Sequence, residues 1–401
     1  MIQKRNIIIG IDYNQEYLAE FVKCIDKELN VYLIHYSSPS ESSSTLFEKY
    51  GSILYWKDFH GAYDLLEKLD PFKVVFFELE TLNQVALNVA CKEKKIKTVF
   101  CDHGLSLMEP SLKLDRVMKP QMKFSFSKFK RNPFHVVRNR LFYVYTVKNA
   151  SKKGANFLKE FKNIRLENSI LQTYLEVDDK LLYPTEYYCI SPENYKFQSS
   201  LNKDSDIPVS YFGFLDFDHM FHVTQAKNKK HLLYIDQPYA KGKLFGWSVQ
   251  TKAIWIDELA IWCDQNDFDL VVKKHPRESE EVWKAVTHSN INYTNDLISY
   301  LPSTQIVVGF NSTLLVSLAA LDHIVLFCVR FHPDGNENET EIFINEGVAN
   351  WIDGVTSLVD KKDIHSIWQK QRSNKSNFCE RWLYKKDGNS ARRLKELYLK
   401  D

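Results

Sequence analysis

The segment Val271–Pro276, with the sequence VVKKHP, and the segment Val307–Thr313, with the sequence VVGFNST, decide the predicted fold of this 401-residue chain. Each is an apolar run, typical of a buried strand, that ends in small or polar residues where a helix would begin. In open α/β sheets, ligands bind beyond the carboxyl ends of the strands, and a helix N-terminus offers unpaired N–H groups to an anion. The two segments therefore predict a phosphate-binding edge, with a nucleotide or nucleotide sugar as the ligand.

Strand-like and helix-like segments alternate along the whole chain. In the first half, apolar or aromatic runs lie at 6–11, 31–35, 52–56, 73–78 and 98–101, with helix-compatible segments such as 16–27 and 82–92 between them. In the second half, runs at 232–235, 270–272, 306–308 and 324–329 alternate with helical patterns at 248–266 and 312–321. This alternation predicts βαβ units and parallel sheets, and two series predict two Rossmann-like halves.

The stretch 191–210 separates the two series. It is polar and carries Pro192 and Pro208, a composition typical of a linker. We therefore predict a first domain over 1–204 and a second over 205–401.

Composition narrows the function classes. Lys and Arg together number 53 against 51 for Asp and Glu, so the net charge does not indicate a general nucleic-acid-binding protein. The seven cysteines are scattered without a CxxC pair, which favours a reducing cytosol over a disulfide scaffold or a zinc site. The apolar run at 7–9 is too short for a signal peptide or a membrane span.

The segment 117–159 is unusual because it contains no Asp or Glu but is rich in Lys, Arg and aromatic residues. Such a mixture suits an anionic surface with apolar depth, such as a bilayer interface or an acidic glycan. The alternative is a basic helix with a buried aromatic face, and nucleic acid is a weaker third interpretation. We predict that Lys128, Lys130 and Arg131 belong to a membrane or acceptor surface.

Four short motifs occur in an informative order along the chain. Asp102-His103-Gly104 follows the strand at 98–101, Gln237-Pro238 follows the strand at 232–235, and the motifs Lys274-His275-Pro276 and Asn311-Ser312-Thr313 come later. Together they resemble the motifs of bacterial sialyltransferases and related capsule and lipooligosaccharide glycosyltransferases of the GT-B fold. Those enzymes hold the CMP part of an activated sugar with a His-Pro and a Ser-Ser/Thr motif, and an acidic motif in the first domain supplies the base.

The resemblance implies an α/β fold of the GT-B class, in which two Rossmann-like domains face each other across a cleft. The first domain would bind the acceptor and the second the donor. The resemblance assigns the donor nucleotide and its phosphate to Gln237, Pro238, Lys274, His275, Pro276, Asn311, Ser312 and Thr313. His275 would also stabilise the departing phosphate. Asp102 is expected to be the catalytic base, but His103 stands where the family usually has a second acid, so both are candidates.

The implied reaction is an inverting, metal-independent transfer of a sialic-acid-like (nonulosonic) sugar from a CMP-activated donor to a bacterial surface glycan, which can be lipid-linked. Apart from the donor, no cofactor is expected. The alternatives are a UDP-sugar donor, or CDP-glycerol as in the related teichoic-acid polymerases, and a non-catalytic nucleotide- or glycan-binding module. The expected location is the cytoplasm, with peripheral contact with the inner face of the cell membrane as a further possibility.

Overall fold

The computed structural model describes residues 4–12, 15–25, 27–35, 45–104, 133–177, 179–201, 206–223, 226, 230–338, 341–358 and 361–401. The chain forms two compact units. The first comprises residues Met1–Leu215 together with Asn389–Asp401, and the second comprises Asp216–Gly388. Each unit is built around one parallel sheet.

The sheet of the first unit has seven strands. They are β1 (Asn6–Gly10), β2 (Asn30–His35), β3 (Ser52–Tyr55), β4 (Pro71–Phe76), β5 (Lys97–Cys101), β6 (Glu186–Cys189) and β7 (Val209–Tyr211). Their order in the sheet is β3-β2-β1-β4-β5-β6-β7, and every pairing is parallel. The central strands are apolar and fully buried, as in Ile7-Ile8-Ile9, because helices cover both faces of the sheet.

The helices of the first unit are α1 (Ala19–Lys23), α2 (Ala62–Leu69), α3 (Leu82–Glu93), α4 (Pro133–Asn149), α5 (Lys152–Glu167), α6 (Ile170–Glu176) and α7 (Pro192–Leu201). Helix α3 begins with a capping box, in which Thr81 and Gln84 satisfy each other's backbone N–H groups. The predicted helix at 16–27 is instead a 3-10 turn, Glu16–Leu18, followed by the short α1.

The sheet of the second unit has six strands, β8 (His231–Ile235), β9 (Asp269–Lys273), β10 (Ile291–Thr294), β11 (Thr304–Gly309), β12 (Val325–Val329) and β13 (Asn350–Ile352). The helices of this unit are α8 (Tyr239–Gly242), α9 (Val249–Asn266), α10 (Glu280–Ala285), α11 (Leu314–Ala319), α12 (Ile342–Asn345) and α13 (Lys361–Trp382). The last helix of the chain, α14 (Ser390–Leu399), belongs to the first unit. The parallel order β10-β9-β8-β11-β12-β13 repeats that of the first six strands. The predicted pair of Rossmann-like sheets is confirmed.

Four strands lie outside the sequence prediction, namely β6, β7, β10 and β13. Each has only three or four residues, too few for a clear apolar pattern. The predicted linker at 191–210 is wrong because it contains α7 and β7. Pro192 occupies the first turn of α7, where a missing N–H costs nothing, and Ser191 caps the helix by accepting the N–H of Asn194.

The domain boundaries also differ from the prediction. The first unit continues to Leu215 because β7 pairs with β6, so the break lies beyond residue 205. The C-terminal residues Asn389–Asp401, predicted for the second domain, belong to the first unit. The local sequence pattern does not indicate that these C-terminal residues belong to the first unit.

Lys73 on β4 holds the returning helix α14. The side chain is completely buried, and its ammonium donates hydrogen bonds to the carbonyl oxygens of Leu397 (2.9 Å), Tyr398 (3.3 Å) and Lys400 (2.7 Å). Burial lowers the pKa of Lys73 to about 8. The lysine thus satisfies carbonyl groups that the end of a helix leaves without partners.

Among the described residues, no helix combines the length and the apolar character that a membrane span requires.

We predict that Lys73→Met destabilises the first unit by about 3 kcal/mol, because buried carbonyl oxygens lose their donor. Hydrogen exchange should show faster exchange in α14, and the thermal midpoint should fall. Lys395→Met on the same helix is the control, since Lys395 is exposed and pairs with Glu28 at the surface. Unchanged exchange in α14 of the Lys73 variant would contradict this role.

Candidate functional site

Asp102 is the first residue after β5, and it is buried. Its carboxylate accepts hydrogen bonds from the backbone N–H of Ile190 (3.4 Å) and from the side-chain amide of Asn194 (3.3 Å). Burial raises the pKa of Asp102 to about 6, although these hydrogen bonds oppose the shift. A carboxyl group with a pKa near the working pH is suited to general base chemistry.

His103 contacts a different part of the same sheet edge. Its ring stacks at 6.3 Å on Tyr17, which follows β1, and meets the edge of Phe77, which follows β4, at 5.8 Å. Burial lowers the pKa of His103 and outweighs a hydrogen bond with the Phe77 backbone, which acts in the opposite direction. The imidazole is therefore neutral at physiological pH, and it faces the point between β1 and β4 where the strand order reverses.

A polar cluster that sequence reasoning missed lies at that same reversal point. Asp12 follows β1, His35 ends β2 and Glu78 follows β4; His35 Nε2 is 3.2 Å from Asp12 Oδ1. Burial raises the pKa of Glu78, and the charges of Glu80 and Asp12 add to the effect. The signal was present, because each of the three residues ends or follows a predicted strand, as Asp102 does.

In the second unit, a buried ionic triad joins the loops after β8 and β9 to helix α9. Lys252 Nζ on α9 lies 2.5 Å from Asp236 Oδ1 and 2.6 Å from Glu278 Oε2, and all three side chains are almost inaccessible to solvent. Glu278 also accepts the backbone N–H groups of Lys241 (2.9 Å) and Ser279 (2.8 Å). These bonds satisfy the charges that burial would otherwise penalise.

The two carboxylates of the triad differ in their pKa values. Burial raises the pKa of Asp236 despite the charge of Lys252. Burial acts in the same direction on Glu278, but hydrogen bonds from Lys252 and the backbone outweigh it, so that the pKa of Glu278 is lowered. Burial therefore destabilises the charged form of Asp236, whereas hydrogen bonds stabilise the charged form of Glu278.

Asp236 of the triad holds the backbone of His275, and the backbone of Arg277 orients its ring. The His275 N–H donates to Asp236 Oδ2 (3.2 Å), and the Arg277 N–H donates to His275 Nδ1 (3.1 Å). Burial lowers the pKa of His275, and the positive charges of Arg277 and Lys252 lower it further. Because Nδ1 accepts a hydrogen bond in a neutral ring, the proton is on Nε2.

The Nε2–H group of His275 has no hydrogen-bond partner among the described residues, so it is available as a donor. Pro276 is exposed in the turn that follows. The arrangement suits a neutral hydrogen-bond donor aimed at an anionic oxygen.

The predicted contacts at Gln237, Pro238 and Lys274 have different surroundings. The Gln237 carbonyl accepts a hydrogen bond from the triad lysine, and Pro238 immediately precedes α8. The ammonium of Lys274 lies 4.9 Å from the ring centroid of Trp283 and 4.5 Å from that of Tyr293. Lys274 therefore makes cation–π contacts here, and its binding to phosphate stays a prediction.

Asn311, Ser312 and Thr313 form the turn between β11 and α11. Asn311 and Thr313 are exposed, and Ser312 is half-buried. The Ser312 Oγ accepts the N–H of Leu314 (3.3 Å), so the hydroxyl closes a local turn just before α11. Since β9, β8 and β11 are neighbours, this turn shares one sheet edge with His275 and Gln237, as predicted.

A second histidine that the sequence analysis missed lies at the same edge. His332 follows β12, and its ring stacks between Phe245 (4.4 Å) and Phe310 (5.5 Å). Trp247 Nε1 donates to His332 Nδ1 (3.1 Å). The signal was a second His-Pro pair, His332-Pro333, which begins three residues after the predicted strand at 324–329.

The structure does not test two of the predictions, one on the membrane or acceptor surface and one on the metal. Lys128, Lys130 and Arg131, predicted for a membrane or acceptor surface, lie outside the described residues. Within the described ranges, no group of three or more His, Cys, Asp and Glu side chains is arranged to hold a metal ion. Metal independence stays a prediction.

Comparison with known protein families gives a match over most of the chain. A family model described as "Alpha-2,8-polysialyltransferase (POLYST)" matches residues 4–329, which include every predicted site residue. No curated protein sequence matches the chain significantly.

Solved structures resemble the chain in fold. The calicheamicin glycosyltransferase CalG4 covers 99% of this chain and 98% of its own, with a TM-score of 0.51 and 9% identity. The UDP-GlcNAc 2-epimerase of Methanocaldococcus jannaschii covers 99% of this chain and 100% of its own, with a TM-score of 0.44 and 11% identity. The fold is the α/β fold of GT-B glycosyltransferases, with two Rossmann-like domains.

We predict that Lys252→Met destabilises the second unit by about 3–5 kcal/mol at pH 7.5, because two buried carboxylates lose their partner. Burial raises the folded-state pKa of Asp236, so the folded protein takes up this proton at a higher pH than the unfolded chain does, and losing Lys252 should raise that pKa further. The deficit should therefore shrink as the pH falls to 5, measured by thermal unfolding. The control is Lys284→Met, because the Lys284 side chain on α10 is exposed and pairs with Glu281 at the surface. An equal deficit at both pH values would argue against a charged triad.

Proposed function

We propose that this chain, which belongs to the alpha-2,8-polysialyltransferase family, transfers a sialic-acid-like (nonulosonic) sugar from a CMP-activated donor to a bacterial surface glycan, with inversion and without a metal. The family membership supports the sugar class, and the resemblance of the motifs supports the CMP donor. The observation that carries the proposal is His275, a neutral imidazole whose Nε2–H is fixed at the edge where GT-B donors bind.

The leaving group explains why a neutral histidine suffices. The bond that breaks joins the anomeric carbon to a phosphate oxygen of CMP, which departs as a stable anion, since the second phosphate pKa is about 6. Such a leaving group needs hydrogen bonds more than it needs a proton. His275 Nε2–H and the N–H groups and hydroxyls of Ser312 and Thr313 would stabilise the charge that develops on that phosphate.

The other half of the reaction needs a base for the acceptor hydroxyl. As the acceptor oxygen bonds to the anomeric carbon, its proton passes to the base, and attack opposite the departing CMP inverts the configuration. Asp102 is the proposed base. Its raised pKa of about 6 supports the assignment, because the carboxylate is ionised at pH 7 and remains basic enough to accept a proton.

One observation favours His103 as the alternative base. His103 faces the reversal point between β1 and β4 through Tyr17 and Phe77, whereas Asp102 faces Asn194 and Ile190 on the other side. The lowered pKa of His103 leaves it neutral and able to accept a proton. If His103 is the base, Asp102 positions the loop that carries it.

The donor class can be tested by turnover. The chain should release CMP from CMP-sialic acid in the presence of a glycan acceptor, and release no nucleotide from a UDP-sugar or from CDP-glycerol. His275→Ala should lower kcat about 100-fold, because one contact that forms with charge on the leaving group is lost. Lys284→Ala on the exposed side of α10 is the control.

Turnover of a UDP-sugar or of CDP-glycerol instead would replace the proposed donor. Absence of turnover with every donor, in a folded protein that binds CMP, would favour the non-catalytic alternative.

The base can be identified with Asp102→Asn and His103→Gln, which preserve size at both positions. We expect Asp102→Asn to lower kcat/KM by a factor of roughly 100 to 10,000, while His103→Gln stays within about tenfold of wild type. The wild-type kcat/KM should fall about tenfold per pH unit below pH 6, where Asp102 becomes protonated. An inactive His103→Gln beside an active Asp102→Asn would exchange the two roles.

A further inference from the structure

Helix α4 carries an exposed apolar stripe on a folded, well-anchored scaffold. Five large apolar side chains of this one helix have between 36% and 64% of their surface exposed, namely Phe134, Val137, Leu141, Val144 and Tyr145. At 3.6 residues per turn they fall within an arc of about 100° on the helix. The stripe therefore forms a continuous surface.

The opposite face of α4 fixes the helix in the first unit. Phe142 is fully buried and meets the ring of Trp56 at 4.8 Å. Thr146 Oγ1, also buried, accepts the N–H of Ala62 at the start of α2 (2.8 Å). Since the inner face already packs on the core, the exposed stripe is a second, separate apolar face.

Positive charge surrounds the stripe. Arg138, Arg140 and Lys148 are exposed on α4, and Arg138 lies over the Phe134 ring at 5.3 Å. The segment 117–159 of the sequence contains no Asp or Glu. An apolar stripe flanked by cations on the same helix matches the chemistry of a bilayer surface that contains anionic lipid.

The same charges argue against a second copy of this chain as the occupant. In a symmetric dimer built on the stripe, Arg138 and Lys148 of each copy would meet the same cations of the other. Nothing acidic in the segment could pair with them. Like charges at an apolar interface are costly, whereas anionic headgroups would neutralise them.

We propose that α4 is a membrane-docking helix, whose stripe enters the headgroup region of an anionic bilayer while Arg138, Arg140 and Lys148 bind lipid phosphates. Helix α4 contacts Trp56, directly after the carboxyl end of β3, so it lies at the sheet edge that carries Asp102 and His103. Docking would hold that edge of the first unit near the surface of the bilayer. This proposal concerns binding to lipid and stands independently of the donor.

The test measures binding of the full chain to vesicles of phosphatidylglycerol and phosphatidylcholine, with pure phosphatidylcholine vesicles as the neutral reference. The wild-type chain should bind the anionic vesicles and weaken at 0.5 M salt. Phe134→Ser with Val144→Ser should weaken binding at least about tenfold, because two apolar side chains no longer leave water. The matched control is Ile254→Ser with Ile261→Ser on α9, where the isoleucines are 58% and 48% exposed. Like the two α4 positions, these two positions lie on one helix and are separated by about two turns or more.

Thermal unfolding of both double variants checks that they are folded, and sedimentation velocity reports their oligomeric state. The proposal is overturned if the α4 variant binds anionic vesicles as wild type does, or if both double variants lose binding equally. It is also overturned if the wild-type chain does not bind vesicles. That conclusion holds for a monomeric wild-type chain and equally for a dimer that the α4 substitutions dissociate. Binding equally strong to neutral vesicles would remove the role assigned to the three cations.

Discussion

The buried lysine between Asp236 and Glu278 is the interaction on which the predicted donor edge depends. Two carboxylates without Lys252 would be too costly to bury, and without them the loops after β8 and β9 would have no common anchor. Because Asp236 also accepts the His275 N–H, the buried triad fixes the backbone that carries this imidazole. The neighbouring amide of Arg277 then selects the tautomer of that ring.

The two sheets share one strand order and therefore one location for chemistry. In each unit the order reverses between the first and the fourth strand of the sheet, β1 and β4 or β8 and β11. Loops diverge at such a point and leave space for a ligand. In the second unit this space is bordered by the His275 and Asn311–Thr313 loops, and in the first by the Asp12 cluster and His103. The shared topology thus places the polar residues of both units at corresponding positions.

Much of this could be predicted from the sequence, because buried parallel strands are long apolar runs and polar residues directly after them are conspicuous. His275 and Asn311–Thr313 follow that rule, and the resemblance to an acidic family motif singles out Asp102, which also follows a strand. The same rule also applies to Asp12, which belongs to no recognised motif, and the His-Pro pair is repeated at His332-Pro333. The triad could not be predicted, since Lys252 lies in the middle of a helix and its partners are 16 and 26 residues away. The return of α14 to Lys73 depends equally on contacts remote in sequence.

The pKa shifts in the two units suit the proposed roles of Asp102 and His275 over the same range of pH. Burial raises the pKa of Asp102 to about 6, so its carboxylate becomes available as a base only above that value. Burial and neighbouring cations lower the pKa of His275, so its ring is a neutral donor over the same range. A protonated His275 would bind phosphate more strongly, but it would do so before and after the bond breaks, which does not by itself speed the chemical step. A neutral donor at a fixed position costs little reorganisation and, in the proposed reaction, would release CMP more readily. The two opposite shifts, one for a carboxyl group and one for an imidazole, have the same physical cause: each burial disfavours the charged form.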